Sequence, residues 1–361
     1  MKKALFRKEL LTASIAFAIC FSLFFVLLTN KTNGAAFAEN TEEAVYGVLN
    51  YSDGAQYEGD ILYGRIKNGA GTFTWISGET YSGTWLNDSQ DGDGEMTWPD
   101  LGTYTGSFEN GKRNGQGVFT WIYDGEPEEG APVSYEGDWV NDQIGPSGKL
   151  VLFGIGTYEG EFEKNVRSGS GTFTWVNGDI YRGSWKNDSI TGEGTLTLSD
   201  GTELVGTFNN GILNKGTITY FVSGGLASRP VQSGRIQSSV TLTYSNGTVV
   251  SGKLKEQEFT GNVTIDYPSG DKYVGTLKAG VKSGKGIYTW KSGAHYNGEW
   301  ENDKMSGKGT YYYGQSEKNL YLSGTFKDGK PFGTLTYVSD NNLKYTTSWT
   351  NGVCSSIKYK K

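Results

Sequence analysis

The segment from Tyr158 to Glu203 constrains this chain most, because it contains one pattern twice in succession. Tyr158-Glu-Gly-Glu-Phe begins the first copy, and Tyr181-Arg-Gly-Ser-Trp begins the second copy 23 residues later. Each opening is followed by Gly-x-Gly and then by an alternating run of threonine and apolar residues. Self-similarity at a fixed period of this size is the sequence signature of a repeat architecture.

The repeat extends over most of the chain. Strict Tyr-x-Gly openings occur at Tyr57, Tyr81, Tyr104, Tyr135, Tyr158, Tyr181, Tyr273 and Tyr296, and looser openings occur at Leu204, Val250, Leu322 and Tyr345. We count about twelve units, and whether residues 232–248 form a true unit is left open. An insertion at 124–133 and a break at 221–230 are expected to interrupt the array.

Each unit is predicted to be a β-hairpin. Apolar residues or glycines alternate with polar residues in both halves of the unit, which indicates two strands that each have one polar face. Residues that tolerate positive φ lie between the halves, as at Asn187-Asp188 and Asn210-Gly211. Ser-Gly, Asn-Gly or Asp-Gly lies between units, as at Asn177-Gly178. Short turns of this kind make successive strands antiparallel.

Aromatic residues and glycines share one face of the predicted sheet. Glycine at a fixed strand position indicates that something lies flat against the backbone there, and we expect an aromatic ring from an adjacent strand. An isolated hairpin is marginal in water, so stability must come from neighbouring hairpins. The predicted fold class is therefore all-β: an elongated, single-sheet, antiparallel β-hairpin solenoid that follows one N-terminal hydrophobic helix.

The repeat resembles a known family. Tyr-x-Gly-x-Trp/Phe, a turn, Gly-x-Gly-x-x-x-Trp and a closing Asp/Asn-Gly every 23 residues are similar to the MORN repeat, from about Tyr46 to Gly352. The resemblance implies a β-hairpin solenoid that acts as a scaffold or interaction surface. MORN repeats have also been linked to phospholipid binding and are sometimes appended to an enzyme. We expect no catalytic domain here.

The N-terminal residues 1–38 are of a different kind. Basic residues precede an uncharged apolar run from Leu10 to Leu28, and Ala36-Phe37-Ala38 is a potential cleavage site. The run fits either a signal peptide or an uncleaved membrane anchor. Both readings predict export of the repeats, because the positive-inside rule leaves the N-terminus in the cytoplasm. A linker at 39–45, the array at 46–353 and a tail at 354–361 are expected to follow.

Charge and cysteine content exclude several functions. Beyond residue 31, the chain has 28 basic and 38 acidic residues. Proteins that bind nucleic acids or anionic lipids concentrate Lys and Arg, so we expect no nucleic-acid partner and membrane contact through the N-terminal segment only. Cys20 in the apolar run and Cys354 are the only cysteines, and a membrane would separate them. No intrachain disulfide is therefore expected.

The sequence predicts no catalytic residue, no metal ligand and no cofactor. His295 is the single histidine and has no fixed partners in the repeat, so we interpret it as a surface residue. Asp91 and Asp93 lack the complete spacing of a calcium loop. Glu136 and Glu159 recur with the repeat, which indicates a solvated strand face rather than a catalytic acid. We therefore expect a protein that is not an enzyme.

The tryptophans are the candidate binding residues. A one-sheet protein cannot cover every ring, and exposed aromatic strips mark binding surfaces. The candidate strip comprises Trp85, Trp121, Trp139, Trp175, Trp185, Trp290 and Trp300. We favour a scaffold or adhesion surface that binds protein partners or itself at the cell envelope. The alternatives are a module that binds a wall glycan and a phospholipid-associated protein.

Overall fold

The structure is a computed structural model that describes residues 43–255, 258–314 and 320–360. These residues are all-β, as predicted, and they include no helix. Across these ranges, no helix has the length and apolar character needed to span a membrane. The predicted N-terminal helix, with the apolar run at 10–28 and the possible cleavage site at 36–38, lies outside the described residues. The chain divides into two compact units, which meet between Lys112 and Arg113.

The first unit is an open antiparallel sheet in which each strand pairs with the next strand along the chain. Its strands are β1 (Val45–Asn50), β2 (Gln56–Leu62), β3 (Ile66–Thr74), β4 (Thr80–Leu86), β5 (Ser89–Trp98) and β6 (Gly102–Glu109). Within the described residues, β1 pairs with β2 alone, as the second half of a hairpin would.

The second unit contains the remaining strands. They are β7 (Lys112–Trp121), β8 (Pro132–Val140), β9 (Gln143–Leu152), β10 (Gly156–Glu163), β11 (Val166–Trp175), β12 (Ile180–Lys186), β13 (Ser189–Thr197), β14 (Glu203–Asn209), β15 (Ile212–Val222), β16 (Gly225–Gln232), β17 (Arg235–Ile236), β18 (Ser239–Tyr244), β19 (Val249–Lys255), β20 (Glu258–Asp266), β21 (Lys272–Lys278), β22 (Val281–Thr289), β23 (His295–Glu301), β24 (Lys304–Tyr312), β25 (Tyr321–Lys327), β26 (Lys330–Pro331), β27 (Gly333–Val338), β28 (Lys344–Thr350) and β29 (Val353–Tyr359).

Antiparallel pairing in chain order continues through the second unit, with two local exceptions. Strand β16 pairs with both β17 and β18, and β25 pairs with both β26 and β27. In each case the second strand of a hairpin is interrupted and then resumes. The segment at 232–248 thus contains part of a hairpin, in which β16 is followed by β17 and β18.

The structure locates three boundaries that were predicted from the sequence. Residues 122–131 lie outside strands, as the predicted insertion requires. The predicted break at 221–230 is wrong, because β15 continues to Val222 and β16 resumes at Gly225 after a turn in which Gly224 has a φ of 91°. At the C-terminus, β29 extends the sheet to Tyr359, within the tail that was predicted at 354–361.

The turns within hairpins have the predicted chemistry. Asn187 and Asp188 have φ values of 47° and 64°, and Asn210 and Gly211 have 47° and 78°. Positive φ at both central residues is what a type I′ hairpin turn requires. Between hairpins, only the glycine has positive φ, as at Gly178 with 89°. Its N–H donates a hydrogen bond to Trp175 O at 3.0 Å.

The two glycines of each Gly-x-Gly motif have different roles. In β11, Gly169 has a φ of 61° at a bulge, where the Glu161 carboxylate accepts the Ser170 N–H at 2.9 Å. Gly171 lies flat under the Tyr158 ring, and a Cβ at that position would overlap the phenol. The predicted ring from an adjacent strand is confirmed for Gly171 and for its counterparts Gly71, Gly94, Gly148, Gly194, Gly286 and Gly309, but at Gly216 the neighbour is the backbone of β14.

The opening tyrosines form the centre of each hairpin. All eight are fully buried, and each hydroxyl donates a hydrogen bond to the carbonyl three residues later. Burial therefore raises the pKa of Tyr81, Tyr273 and Tyr296 to about 12. The core of each unit is thus one layer of rings on one face of a sheet.

Candidate functional site

Eight of the ten tryptophans fall into two structural classes, which the sequence did not separate. Trp85, Trp139, Trp185 and Trp300 lie on the first strand of a hairpin, and their exposed fractions are 6%, 3%, 5% and 7%. Trp75, Trp121, Trp175 and Trp290 lie at or just beyond the end of a second strand and are only half-buried. The same sheet face therefore contains both a buried set and a partly accessible set.

The buried tryptophans are fixed by hydrogen bonds as well as by packing. Each indole N–H donates to the carbonyl of a glycine on the preceding strand, as Trp185 Nε1 does to Gly171 O at 3.2 Å. The Trp185 ring also packs edge-on against Tyr158, with ring centroids 5.1 Å apart. These indoles belong to the core.

A basic side chain lies against each buried tryptophan. The Arg167 guanidinium carbon is 4.7 Å from the Trp185 ring centroid, and Lys282 Nζ is 5.5 Å from that of Trp300. A cation over an aromatic face is stabilised by about 2 kcal/mol when it is desolvated. For Lys282, burial lowers the pKa of the amine, and the Asp303 carboxylate opposes that shift.

An aspartate from the turn of the next hairpin completes the arrangement. Asp188 Oδ1 accepts hydrogen bonds from Arg167 Nε at 2.8 Å and from the Arg167 backbone N–H at 3.0 Å. The Asp188 N–H donates back to Arg167 O at 3.0 Å. This set of cation, tryptophan and aspartate, here called the clasp, joins two successive hairpins.

Four clasps occur in the described residues. They consist of Lys67 with Trp85 and Asp88, Arg113 with Trp139 and Asp142, Arg167 with Trp185 and Asp188, and Lys282 with Trp300 and Asp303. The first lies in the first unit and the others lie in the second unit. In the hairpins that receive a clasp, the position of the cation holds Gln90, Ile144, Ile190 or Met305 instead.

The clasp spans two hairpins, and the first three clasps recur every second hairpin, a relation that identical 23-residue units do not show. Lys or Arg followed by Asn-Gly or Ser-Gly marks the first hairpin, and an Asn-Asp turn marks the second hairpin 20 residues later, as in Arg167 and Asn187. Arg113 departs from this spacing because the insertion at 124–133 separates it from Asn141. These paired motifs are therefore the sequence signal of a clasp.

The half-buried tryptophans form the accessible part of the aromatic face. Each packs against the aromatic ring two residues before it, with centroids 4.5 to 4.8 Å apart. In the first unit, Trp75 lines a shallow cleft together with Lys67, Phe73, Trp85, Asp88 and Gln90. Asp88 is half-exposed at this cleft, with 51% of its side chain accessible.

Burial corrects part of the predicted binding strip. The exposure expected for Trp85, Trp139, Trp185 and Trp300 is wrong, because these indoles belong to the core. Trp121, Trp175 and Trp290 are half-buried, and their role in binding stays a prediction. Trp75, which was not in the predicted strip, belongs with this second group.

The other residues considered from the sequence lie apart from the aromatic face. His295 is half-buried, and its ring stacks on Tyr312 at a centroid distance of 4.3 Å. Cys354 is also half-buried, and its thiol contacts Ser356 O at 3.4 Å. Within the described ranges, no group of three or more His, Cys, Asp or Glu residues could hold a metal ion.

A comparison with protein families matches the MORN repeat at seven places. The matches cover residues 81–103, 104–122, 135–149, 158–180, 181–203, 273–295 and 296–316. The chain is a MORN-repeat protein. The seven matches fall within the array of about twelve units predicted from the sequence, but they do not establish that number. MORN repeats are generally modules that interact with proteins or membranes.

The remaining comparisons are less informative for this MORN-repeat protein. No curated protein sequence matches the chain. Among solved structures, the chain is similar to the SAS-4 TCP domain of Drosophila melanogaster in complex with a proline-rich motif of Ana2, at 13% identity, 53% coverage of this chain, 84% of that chain and a TM-score of 0.16. It is also similar to an inactive virginiamycin B lyase from Staphylococcus aureus with quinupristin, at 10% identity, 87% and 97% coverage and a TM-score of 0.11.

Proposed function

We propose that this MORN-repeat protein is a non-enzymatic scaffold, exported by its N-terminal segment, that binds a protein partner or a second copy of itself. The observation that carries the proposal is the set of half-buried indoles at Trp75, Trp121, Trp175 and Trp290. Tryptophan is enriched among the residues that contribute most to protein interfaces. No core packing requires the accessible part of these rings.

The clasps keep the accessible indoles in fixed positions. Trp175 packs on Phe173 with ring centroids 4.7 Å apart, and Phe173 in turn lies 5.6 Å from the Arg167 guanidinium. A side chain that is already ordered loses less conformational entropy on binding. Trp121 on β7 and Trp175 on β11 are four strands apart in the second unit, or about 19 Å at the usual strand spacing. Trp121 and Trp175 are therefore two separate anchors on one face of the second unit.

A wall glycan is the second candidate ligand, and the cleft at Trp75 favours it. An indole there lies beside the Asp88 carboxylate and the Gln90 amide, which can exchange hydrogen bonds with sugar hydroxyls while the ring contacts the sugar face. In the other clasps, Ile144, Ile190 and Met305 replace Gln90, so the amide is confined to this cleft. A phospholipid association, the third candidate, is disfavoured by the excess of acidic residues.

The test is affinity capture by the full-length protein, tagged at its C-terminus, from detergent-solubilised envelope. The test variant replaces Trp75, Trp121, Trp175 and Trp290 with Ala. The matched control replaces with Ala the threonine that precedes each tryptophan, namely Thr74, Thr120, Thr174 and Thr289. Each of these threonines points to the opposite face of the sheet. We expect defined polypeptides to be captured by the wild type and the control but not by the tryptophan variant.

Two outcomes would contradict the proposal. Saccharide recovered without stoichiometric protein would make the aromatic face a glycan site. Equal capture by the tryptophan and threonine variants would remove the indoles from the interface. Export is tested separately with the same C-terminal tag, which external protease should remove from intact cells. A tag that is digested only after lysis would contradict export.

A further inference from the structure

The charge of the chain is strongly divided along its length. Residues 43–112 contain three basic and 11 acidic side chains, whereas residues 267–361 contain 14 basic and seven acidic side chains. The net acidity of the whole chain conceals this division. Opposite fields of this kind steer the association of complementary surfaces.

In the second unit, most of these lysines lie on the polar side of the sheet, opposite the aromatic core. This basic face of β21 to β29 carries the exposed residues Lys272, Lys278, Lys285, Lys308, Lys327, Lys344, Lys358 and Lys360. The acids on the same side of these strands are Glu299, which lies directly across from Lys285, and Glu301. Asp266 of the neighbouring strand β20 forms an ion pair with Lys272 at 2.9 Å. The face keeps a clear excess of positive charge.

An aromatic row crosses the centre of the basic face. His295, Tyr312 and Tyr321 are direct cross-strand neighbours on β23, β24 and β25. The His295 and Tyr312 rings stack at 4.3 Å, and the Tyr312 and Tyr321 centroids are 5.7 Å apart. The equivalent row in β10, β11 and β12 consists of Thr157, Thr174 and Ile180, so the fold does not require rings at these positions. A basic rim around an aromatic centre has the composition of a binding surface.

The first unit has a polar face of opposite charge. On this side of β2, β5 and β6 lie Glu58, Asp60, Asp93, Glu95 and Glu109. No Lys or Arg lies on this side of β1 to β6. The exposed side chains of Tyr46 and Val48 lie next to Asp60 and Glu58 in the β1–β2 register, and their exposed fractions are 66% and 46%. This acidic face therefore also offers apolar surface.

We propose that the basic face of β21 to β29 binds the acidic face of β1 to β6 of a second copy of this chain. The inference goes beyond the proposed scaffold function, which rests on the tryptophan face, and adds a second contact on the opposite, polar face. Charge complementarity supports a second copy, because every chain carries both faces and pairing of like faces is repulsive. If both contacts form between the same two copies, they close a twofold pair, and otherwise the contact adds copies head to tail.

The experiment measures self-association of the full-length protein by sedimentation velocity and by capture between differently tagged copies. In the basic-face variant, Lys285, Lys308 and Lys344 are replaced with Glu. In the acidic-face variant, Glu58, Glu95 and Glu109 are replaced with Lys. We expect each variant alone to self-associate at least 10-fold more weakly than the wild type, and a mixture of the two variants to associate with each other.

Salt supplies a second measurement. At about 1 M salt, where the screening length falls to about 3 Å, wild-type association should also weaken. Association that resists both salt and the charge reversals would overturn the proposal, as would a protein that stays monomeric at every concentration. A third contrary outcome is binding of single-stranded oligonucleotide or polyphosphate to the basic face without self-association. A variant with Gln at the three lysine positions removes the positive charges without adding carboxylates. It should also lose self-association, and its circular dichroism spectrum shows whether the sheet is intact.

Failure of this inference can be distinguished from failure of the scaffold function. The scaffold function depends on the tryptophan face, which is opposite the polar face on the same strands. If the charge reversals leave self-association unchanged while the tryptophan variant still loses the captured polypeptides, the self-association proposal is wrong and the scaffold proposal is unaffected.

Discussion

Two adjacent parts of the second unit build the same sheet with different cores. Strands β10 to β13 have buried opening tyrosines, paired glycines and a complete clasp around Arg167. Strands β14 to β18 open with the half-buried Leu204 and pack mainly aliphatic side chains, such as Leu213, Val231 and Val240. Antiparallel pairing nevertheless continues from β13 into β14 and beyond. Alternation and turn chemistry therefore suffice for the sheet, whereas the aromatic core and the clasp are separate additions.

The comparison predicts that removal of a ring destabilises β10 to β13, here called the clasp region, more than it destabilises β14 to β18. Trp185→Ala should reduce the free energy of unfolding by about 4 kcal/mol, because it removes a buried ring, an indole hydrogen bond and the surface against which Arg167 lies. Phe208→Ala, at the same position of the next hairpin, should cost about 3 kcal/mol. Urea denaturation gives the total, and amide hydrogen exchange locates the loss.

The half-buried Trp175 is the control within the clasp region. Its replacement by Ala should cost about 1 kcal/mol, because much less apolar area leaves a buried environment. If Trp175→Ala and Trp185→Ala destabilised the protein equally, the division of the tryptophans into two classes would be wrong. If amide hydrogen-exchange protection were lost evenly over β10 to β18, the two regions would instead unfold together.

Much of this architecture follows from local chemistry and could therefore be predicted. The Asn187-Asp188 turn, the alternating strands around it and the ring over Gly171 each depend on residues that are close in sequence. The break predicted at 221–230 failed because Pro230 and Arg229 hide the alternation of β16. The Gly224 turn keeps that strand in the sheet.

The candidate site was harder to predict because alternation identifies a face but not a depth. Trp175 and Trp185 both occupy core-facing positions. Only the structure shows that Phe173, Tyr158 and Arg167 of the preceding hairpin enclose Trp185. The clasp also joins residues 21 positions apart, which a search for identical units treats as variation within one repeat. The division between an acidic and a basic part of the chain was likewise hidden by the net charge of the whole chain.

A second prediction concerns replacing the clasp residues Arg167 and Asp188 with the kinds of residue that occupy the equivalent positions in β14 to β18. Arg167→Leu should cost about 2 kcal/mol, because Asp188 loses its cationic partner while its side chain stays mostly buried. Adding Asp188→Gly should recover part of this loss, because it removes the carboxylate that has lost its cation and because glycine suits the φ of 64° at this turn position. The pair then resembles Leu213 and the Ser233-Gly234 turn. Urea denaturation of the single and double variants measures both steps.

The control for this prediction is Ile190→Leu, which conserves volume at the corresponding position of the next hairpin and should cost less than about 1.5 kcal/mol. An additive loss in the double variant would show that Arg167 and Asp188 act independently. The clasp would then be a coincidence of position and not a unit that couples two hairpins.

The smallest effect per residue is expected from alkaline pH. Burial raises the pKa of Tyr273 and Tyr296 to about 12, above the value of about 10 in an unfolded chain. Because the folded-state pKa is the higher one, the stabilisation is complete below pH 10 and is lost as pH rises through 12. Each phenol then costs about 1.4 kcal/mol per pH unit in that window.

The slope of stability against pH therefore distinguishes the two kinds of core. All ten tryptophans lie outside β14 to β20, so fluorescence follows the other hairpins while circular dichroism follows the whole sheet. Between pH 10 and 12, fluorescence should report unfolding before circular dichroism does. Replacing Tyr273 and Tyr296 with Phe should remove about 2.8 kcal/mol per pH unit from the slope, since neither ring can then ionise. An unchanged slope would mean that other groups control alkaline unfolding, and that the tyrosine-centred hairpins respond to pH no differently from the aliphatic ones.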